Sequence, residues 1–129
     1  MSGKIIDSNI VIGLFRNDQR AINALRKISI VYMPVIVLGE LFYGANVSDQ
    51  TSLRINQIQD FQKNVRLLSC DEKTAVNYGK IKSQLKKAGT PIPENDIWIA
   101  ALAKQHSLPL LTNDKHFLQV KSIQKESLS

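Results

Sequence analysis

Four of the eleven carboxylates in this 129-residue chain stand where acids are expensive. Asp7 closes the apolar run Lys4-Ile5-Ile6. Glu40 lies inside Val35-Ile36-Val37-Leu38-Gly39-Glu40-Leu41-Phe42-Tyr43-Gly44, and its neighbours three and four residues away are Ile36, Val37, Tyr43 and Gly44. Neither Lys nor Arg occurs between Lys27 and Arg54, so no cation close in sequence neutralises it. Asp96 opens Ile97-Trp98-Ile99-Ala100-Ala101-Leu102-Ala103, a stretch apolar on nearly every side of a helix, and Asp114 follows Leu108 to Leu111. An unpaired buried carboxylate is strongly destabilising unless it is protonated or meets a cation. Taken singly, Asp7 and Asp96 suit helix caps, Asp114 a turn, and Glu40 a distant ion pair. Taken together, four converging acids repel one another and raise their own pKa values, and a divalent cation relieves that repulsion. Oxygen-only ligands without a Cys/His cluster point to Mg²⁺ or Mn²⁺ rather than Zn²⁺.

The charge balance fits such a pocket. Seventeen Lys and Arg face eleven Asp and Glu, a net charge of +6. With four acids gathered into one site, the rest of the chain is more basic still. A basic body around an acidic, metal-filled pocket suits a phosphodiester substrate, whose backbone the outer Lys and Arg would hold. Arg16, Lys115 and the Lys86-Lys87 pair are the candidate phosphate contacts, and His116, two residues after Asp114, is a candidate substrate contact. His106 suits a helix end, where a cation meets the dipole. Cys70 has no His near it in sequence and reads as an inert buried thiol. Trp98 reads as core or a subunit contact, and Phe42 and Tyr43 as core or a partner groove. Gly39 and Gly44 each cost a helix about 1 kcal/mol relative to Ala, which points to close packing or a dimer contact.

The elements that must position these residues alternate. Strands are predicted at Lys4–Asp7, Ile30–Met33, Val65–Leu68, Leu108–Thr112 and Val120–Ile123. Helices are predicted over Ile10–Phe15, Gln19–Ile28, Val35–Ala45, Leu53–Phe61, Asp71–Ala88 and Glu94–His106, with Asp71 as a cap and Gly89 as a stop. Short strands separated by helices indicate an α/β fold with a mainly parallel sheet of four or five strands. In such sheets, sites form beyond the carboxyl ends of the strands, where the strand order reverses. The length suits one domain, residues 1–129, with a polar tail from Gln124 expected to fray. The longest apolar run, Ile97 to Ala103, is far short of the ~20 residues of a membrane span. A single cysteine and no apolar leader at the N-terminus suit a reducing, cytoplasmic setting.

Four blocks together resemble a known family. Ile5-Ile6-Asp7-Ser8-Asn9-Ile10, Gly39 to Gly44, Glu94-Asn95-Asp96-Ile97-Trp98-Ile99-Ala100-Ala101 and Leu111-Thr112-Asn113-Asp114-Lys115-His116-Phe117 look like the blocks of a PIN-domain ribonuclease, in family order. In length and spacing the chain is most similar to the VapC-type toxins of toxin–antitoxin pairs. The resemblance implies a three-layer α/β/α sandwich and endoribonuclease activity, often on tRNA or rRNA, dependent on one or two Mg²⁺ or Mn²⁺ ions. It implies 5′-phosphate and 3′-hydroxyl ends, a homodimer, and a VapB-type antitoxin whose C-terminal segment lies over the site. Carried over by position, Asp7, Glu40, Asp96 and Asp114 are the catalytic, metal-holding acids, and Ser8, Asn9, Thr112 and Asn113 the polar residues that support them. Competing readings are a PIN nuclease in RNA processing outside toxin–antitoxin pairs and a catalytically silent RNA- or protein-binding module.

Overall fold

The structure, a computed structural model, describes residues 2–128. Five strands form one sheet: β1 (Lys4–Ile6), β2 (Val31–Pro34), β3 (Arg66–Leu68), β4 (Leu110–Leu111) and β5 (Lys125–Glu126). Their order is β3-β2-β1-β4-β5, and every pairing is parallel. The helices are α1 (Ser8–Phe15), α2 (Gln19–Arg26), α3 (Val35–Asn46), α4 (Thr51–Gln62), α5 (Glu72–Ala88) and α6 (Glu94–His106), with a 3₁₀ turn at Lys115–Gln119. Parallel crossovers are right-handed. From β1 the chain therefore lays α1 to α4 on one face as it steps to β2 and β3. It then crosses back to β4, placing α5 and α6 on the other face, which completes the α/β/α sandwich. The order reverses between β1 and β4, so the crevice beyond their carboxyl ends is the switch point of the fold.

Local chemistry explains the boundaries. Asp7 caps α1 by accepting a hydrogen bond from Ser8 N, so the helix begins two residues before the predicted Ile10. Pro34 closes β2 and stands as the N-cap of α3 without a side-chain cap. Asp71 and Thr74 form a reciprocal capping box on α5, and Gly89 ends that helix at φ 70°, the left-handed region that suits glycine. β1 and α6 supply the centre of the core: Ile5, Ile6, Ile99, Ala100, Ala101 and Leu102 are all fully buried. Among the described residues, no helix is long and apolar enough to cross a membrane.

Several expectations are corrected. Val120 to Ile123 is not a strand. Val120 and Ile123 are buried as apolar plugs, and the ladder falls on the polar pair Lys125-Glu126. The tail is correspondingly tied down rather than frayed. Leu110 N donates to Gln124 O and Thr112 N to Glu126 O, each at 2.9 Å, and Lys4 Nζ meets Glu126 Oε1 at 2.6 Å. Cys70 is exposed, not buried, because it lies in the loop between β3 and α5. Tyr43 is 70% exposed and is not core, whereas Phe42 packs partly against the core. A Cβ on Gly39 or Gly44 would meet nothing within 4 Å, so close packing inside the chain does not account for either glycine. Trp98 is half-buried, its ring stacked on that of Tyr78 at 4.0 Å.

Candidate metal centre

Two strand ends meet at the switch point. Asp7 leaves β1 with its N–H donating to Leu111 O of β4 at 3.1 Å, so the chain directions there are locked together. Its side chain is 3% exposed and heavily partnered. Oδ1 accepts from Ser8 N at 2.8 Å. Oδ2 accepts from Thr112 Oγ1 at 2.7 Å and from Asn9 Nδ2 at 3.2 Å. Thr112 Oγ1 in turn accepts from Asp114 N at 3.0 Å, which fixes the turn after β4. Asn9 Oδ1 accepts from Asn113 N at 3.2 Å, and Asn113 Oδ1 accepts from Leu128 N at 3.1 Å. The four polar residues expected beside the acids, Ser8, Asn9, Thr112 and Asn113, thus form one network across the β1–β4 seam.

Asp96 comes from the other side of the sheet. It sits in the first turn of α6, which has no side-chain cap, so Asp96 does not serve as the helix cap. Its carboxylate meets Asp114 and His116 instead. His116 Nδ1 lies 2.9 Å from Asp114 Oδ1 and 3.4 Å from Asp96 Oδ2. One donor atom from each of Asp96, Asp114 and His116 fits within a span of 4.8 Å. Asp114 also caps the 3₁₀ turn, accepting from His116 N at 2.9 Å. Glu40 enters from α3, half-buried, with the Asn95 and Ser8 side chains as polar neighbours.

The electrostatics show that these acids share one field. Burial pushes Asp7 above its ordinary value; the Thr112 and Ser8 hydrogen bonds oppose this, and the charge of Asp114 adds to it. Glu40 is raised by burial and then by the charges of Asp7 and Asp114. Asp96 is pushed up to about 7, first by burial and then by Asp114 and Asp7. Glu40 Oε1 and Asp96 Oδ2 are buried and have no hydrogen-bond partner. Such orphan oxygens beside further acids are poised to accept a cation.

Two clefts flank the acids. One, of about 300 Å³, is lined by Glu40, Arg16, Arg54 and the apolar Ile12, Phe15 and Ile58. The other, of about 230 Å³, holds Asp114, Thr112 and Lys115. Arg16 and Lys115 are therefore exposed cations lining these clefts, whereas Lys86 and Lys87 lie in the last turn of α5. Arg54 was not legible as a site residue, because its helix carries no local pattern that aims it at Glu40. His116 was legible only as a substrate contact; its place as the third member of the tight cluster depends on the 3₁₀ turn.

The PIN domain family matches residues 4–123. The ribonuclease VapC2 of Haemophilus influenzae is 33% identical over 128 residues, which cover 95% of this chain and 96% of that one. The chain belongs to the PIN-domain family, among the VapC ribonucleases. A further VapC relative, the tRNA(fMet)-specific endonuclease of Shigella flexneri, is 27% identical and covers 97% of both chains. The structure of DNA-bound VapBC from Salmonella typhimurium superposes with a TM-score of 0.91 at 25% identity, covering 98% of both chains. PIN nucleases depend on metal, and the residues of this VapC-family chain fit one: Asp96, with its orphan oxygen, Asp114 and the His116 imidazole form the tight cluster, Glu40 and Asp7 stand outside it but within its electrostatic reach, and among the described residues no Lys or Arg pairs with these acids.

Proposed function

We propose that this chain is the toxin of a VapBC-type pair, a Mg²⁺- or Mn²⁺-dependent endoribonuclease acting in the cytoplasm on tRNA or rRNA. The observation that carries the reading is the pair of buried, unpartnered oxygens, Glu40 Oε1 and Asp96 Oδ2, set beside Asp7 and Asp114. A pure RNA-binding module gains nothing from buried negative charge that repels phosphate. The solved VapBC complexes support a VapB-type antitoxin as the partner of this chain, and a homodimer belongs to the same proposal.

Asp96 and Asp114 would hold the cation, and Asp7, fixed by Thr112 and Ser8, would complete the acid set. Once bound, a divalent cation would supply the positive charge that lowers a water's pKa and stabilises the phosphoryl oxygens. Glu40, with a free acceptor oxygen, orients the attacking water and takes up its proton. Arg16 and Lys115 hold the RNA backbone on either side of the acids. The new bond joins the water oxygen to phosphorus, and the bond from phosphorus to O3′ breaks. The leaving oxygen takes a proton from solvent, and Glu40 returns its proton to solvent, which yields a 3′-hydroxyl and a 5′-phosphate.

The test is cleavage of total tRNA and rRNA with Mg²⁺, with Mn²⁺ and with EDTA, the ends being mapped by direct ligation. Metal-dependent cuts with ligatable 5′-phosphates, absent in Asp7→Asn, are expected. Undiminished cutting in EDTA would overturn the proposal.

A further inference from the structure

We propose that His116 is a nitrogen ligand of the metal ion, making the centre a mixed oxygen–nitrogen site that favours Mn²⁺ over Mg²⁺. This rests on reading the cluster as a metal centre. The supporting geometry is independent of the acids alone. Two adjacent ligands of an octahedral ion, each ~2.1 Å from it, stand about 3.0 Å apart. His116 Nδ1 lies 2.9 Å from Asp114 Oδ1 and 3.4 Å from Asp96 Oδ2, close to two edges of one such polyhedron. The Asp96 side chain is only 9% exposed, and its Oδ2, the oxygen that faces the imidazole, has no hydrogen-bond partner.

The backbone aims the ring. His116 N donates to the Asp114 carboxylate at 2.9 Å, and the next residue, Phe117, is fully buried. The backbone at His116 is thus anchored on both sides and Nδ1 faces the acids, while the ring as a whole stays 53% exposed. A residue built only to contact RNA would have no reason to direct that nitrogen between two carboxylates. An imidazolium pairing with both acids has the same geometry but makes a different prediction, since it would leave when a cation arrives.

The choice of ion follows from donor chemistry. Mg²⁺ takes oxygen ligands and keeps several waters, whereas imidazole suits the transition metals. Removing the nitrogen should therefore weaken Mn²⁺ and leave Mg²⁺ nearly untouched. Asp96 and Asp114 supply oxygen to either ion.

The full, tag-free chain is loaded with Mn²⁺ alone and examined by pulsed electron paramagnetic resonance for coupling to ¹⁴N. His106 is the only other histidine, so a His106→Ala chain serves as the control. Mn²⁺ and Mg²⁺ affinities are measured by calorimetry for wild type, His116→Ala and His116→Gln, with circular dichroism to check folding. The expected result is a ¹⁴N coupling in wild type and His106→Ala that vanishes in His116→Ala, with Mn²⁺ affinity falling on the order of tenfold and Mg²⁺ affinity unchanged within about twofold. Bound Mn²⁺ without ¹⁴N coupling, or equal weakening of both ions, overturns the ligand role while the metal centre stands. A wild-type chain that binds no Mn²⁺ overturns both.

Discussion

Thr112 Oγ1 donates to Asp7 Oδ2 at 2.7 Å, joining residues 105 positions apart across the β1–β4 seam. The same oxygen accepts from Asp114 N. One hydroxyl therefore stabilises a buried carboxylate and sets the turn that carries Asp114. Thr112→Val keeps the shape and removes these bonds, along with the one Thr112 Oγ1 accepts from Asn9 Nδ2 at 3.4 Å. It should lower stability by about 1–3 kcal/mol, because a buried acceptor and a donor are left unpaired. Thr112→Ser should recover most of that loss. Urea midpoints at pH 7 decide it: a Val variant as stable as wild type would show that the bond contributes nothing.

The metal-free chain should become less stable as pH rises from about 4 to about 7. Asp7, Glu40 and Asp96 are all held above their ordinary values, Asp96 at about 7. In that window the unfolded chain has already lost protons that the native chain still binds, so the slope of stability against pH is negative and flattens above it. Asp18, Asp71 and Glu94 are lowered and act with the opposite sign, but only as pH falls to and below their ordinary values of 3.8, 3.8 and 4.5. Saturating divalent cation competes with the bound protons and should add more stability at pH 7.5 than at pH 5. Urea titrations from pH 4.5 to 8, with EDTA and with Mn²⁺, test both signs.

Asp96→Asn separates stability from activity. Removing this charge relieves its repulsion by Asp114 and Asp7, so the metal-free variant should be at least as stable as wild type at pH 7.5 and should show a shallower pH slope. Metal-dependent cleavage should nevertheless fall by more than the ~10–100-fold typical of changes outside the ligands. An Asn variant that melts well below wild type in EDTA would mean that the carboxylate is structural.

The sequence showed the acids and the central elements because both carry strong local signals. An acid on an apolar helix, such as Glu40, is anomalous without any structure. Asp7 and Asp114 ended readable apolar strands, and Asp71 with Gly89 bracketed α5. β5 had no such signal: a two-residue polar strand is defined by backbone pairing with β4, while the apolar Val120 and Ile123 that mimic a strand serve as plugs. The place of His116 depends on a 3₁₀ turn capped by Asp114, and that of Arg54 on how α4 lies against α3. Both are tertiary facts that no spacing in the chain encodes. The exposure of Cys70 follows from a loop, where residue-type averages say little.

Arg16 lines the cleft that holds Glu40 and is exposed. Arg16→Gln should weaken RNA binding across sequences. It should also reduce the slope of log affinity against log salt by about 0.7, the value for one phosphate contact on a single strand. Arg54→Gln tests the second cation of the same cleft in the same way. Binding to a non-cleavable RNA is measured at several salt concentrations. Unchanged slopes in both variants would place the RNA backbone elsewhere.

The polar tail should matter to the site more than its composition suggests. Glu126 O accepts from Thr112 N, Gln124 O accepts from Leu110 N, and Leu128 N donates to Asn113. Thr112 and Asn113 are the residues that hold Asp7 and Asn9. A chain ending at Ile123 loses these bonds and opens the edge of β4. Its melting temperature should fall by several degrees, at ~2–8 °C for each kcal/mol lost. Its metal affinity should fall too, although no metal-holding residue is removed. Glu126→Gln is the control, since it removes only the Lys4 ion pair, whose side chains are 35% and 39% exposed. Such an exposed pair is worth ~0–1 kcal/mol, and its loss leaves the backbone bonds in place. A truncated chain that binds Mn²⁺ as tightly as wild type would show that β5 caps the sheet edge without bracing the acids. If Glu126→Gln lost as much stability as the truncation, the ion pair rather than the ladder would hold the tail.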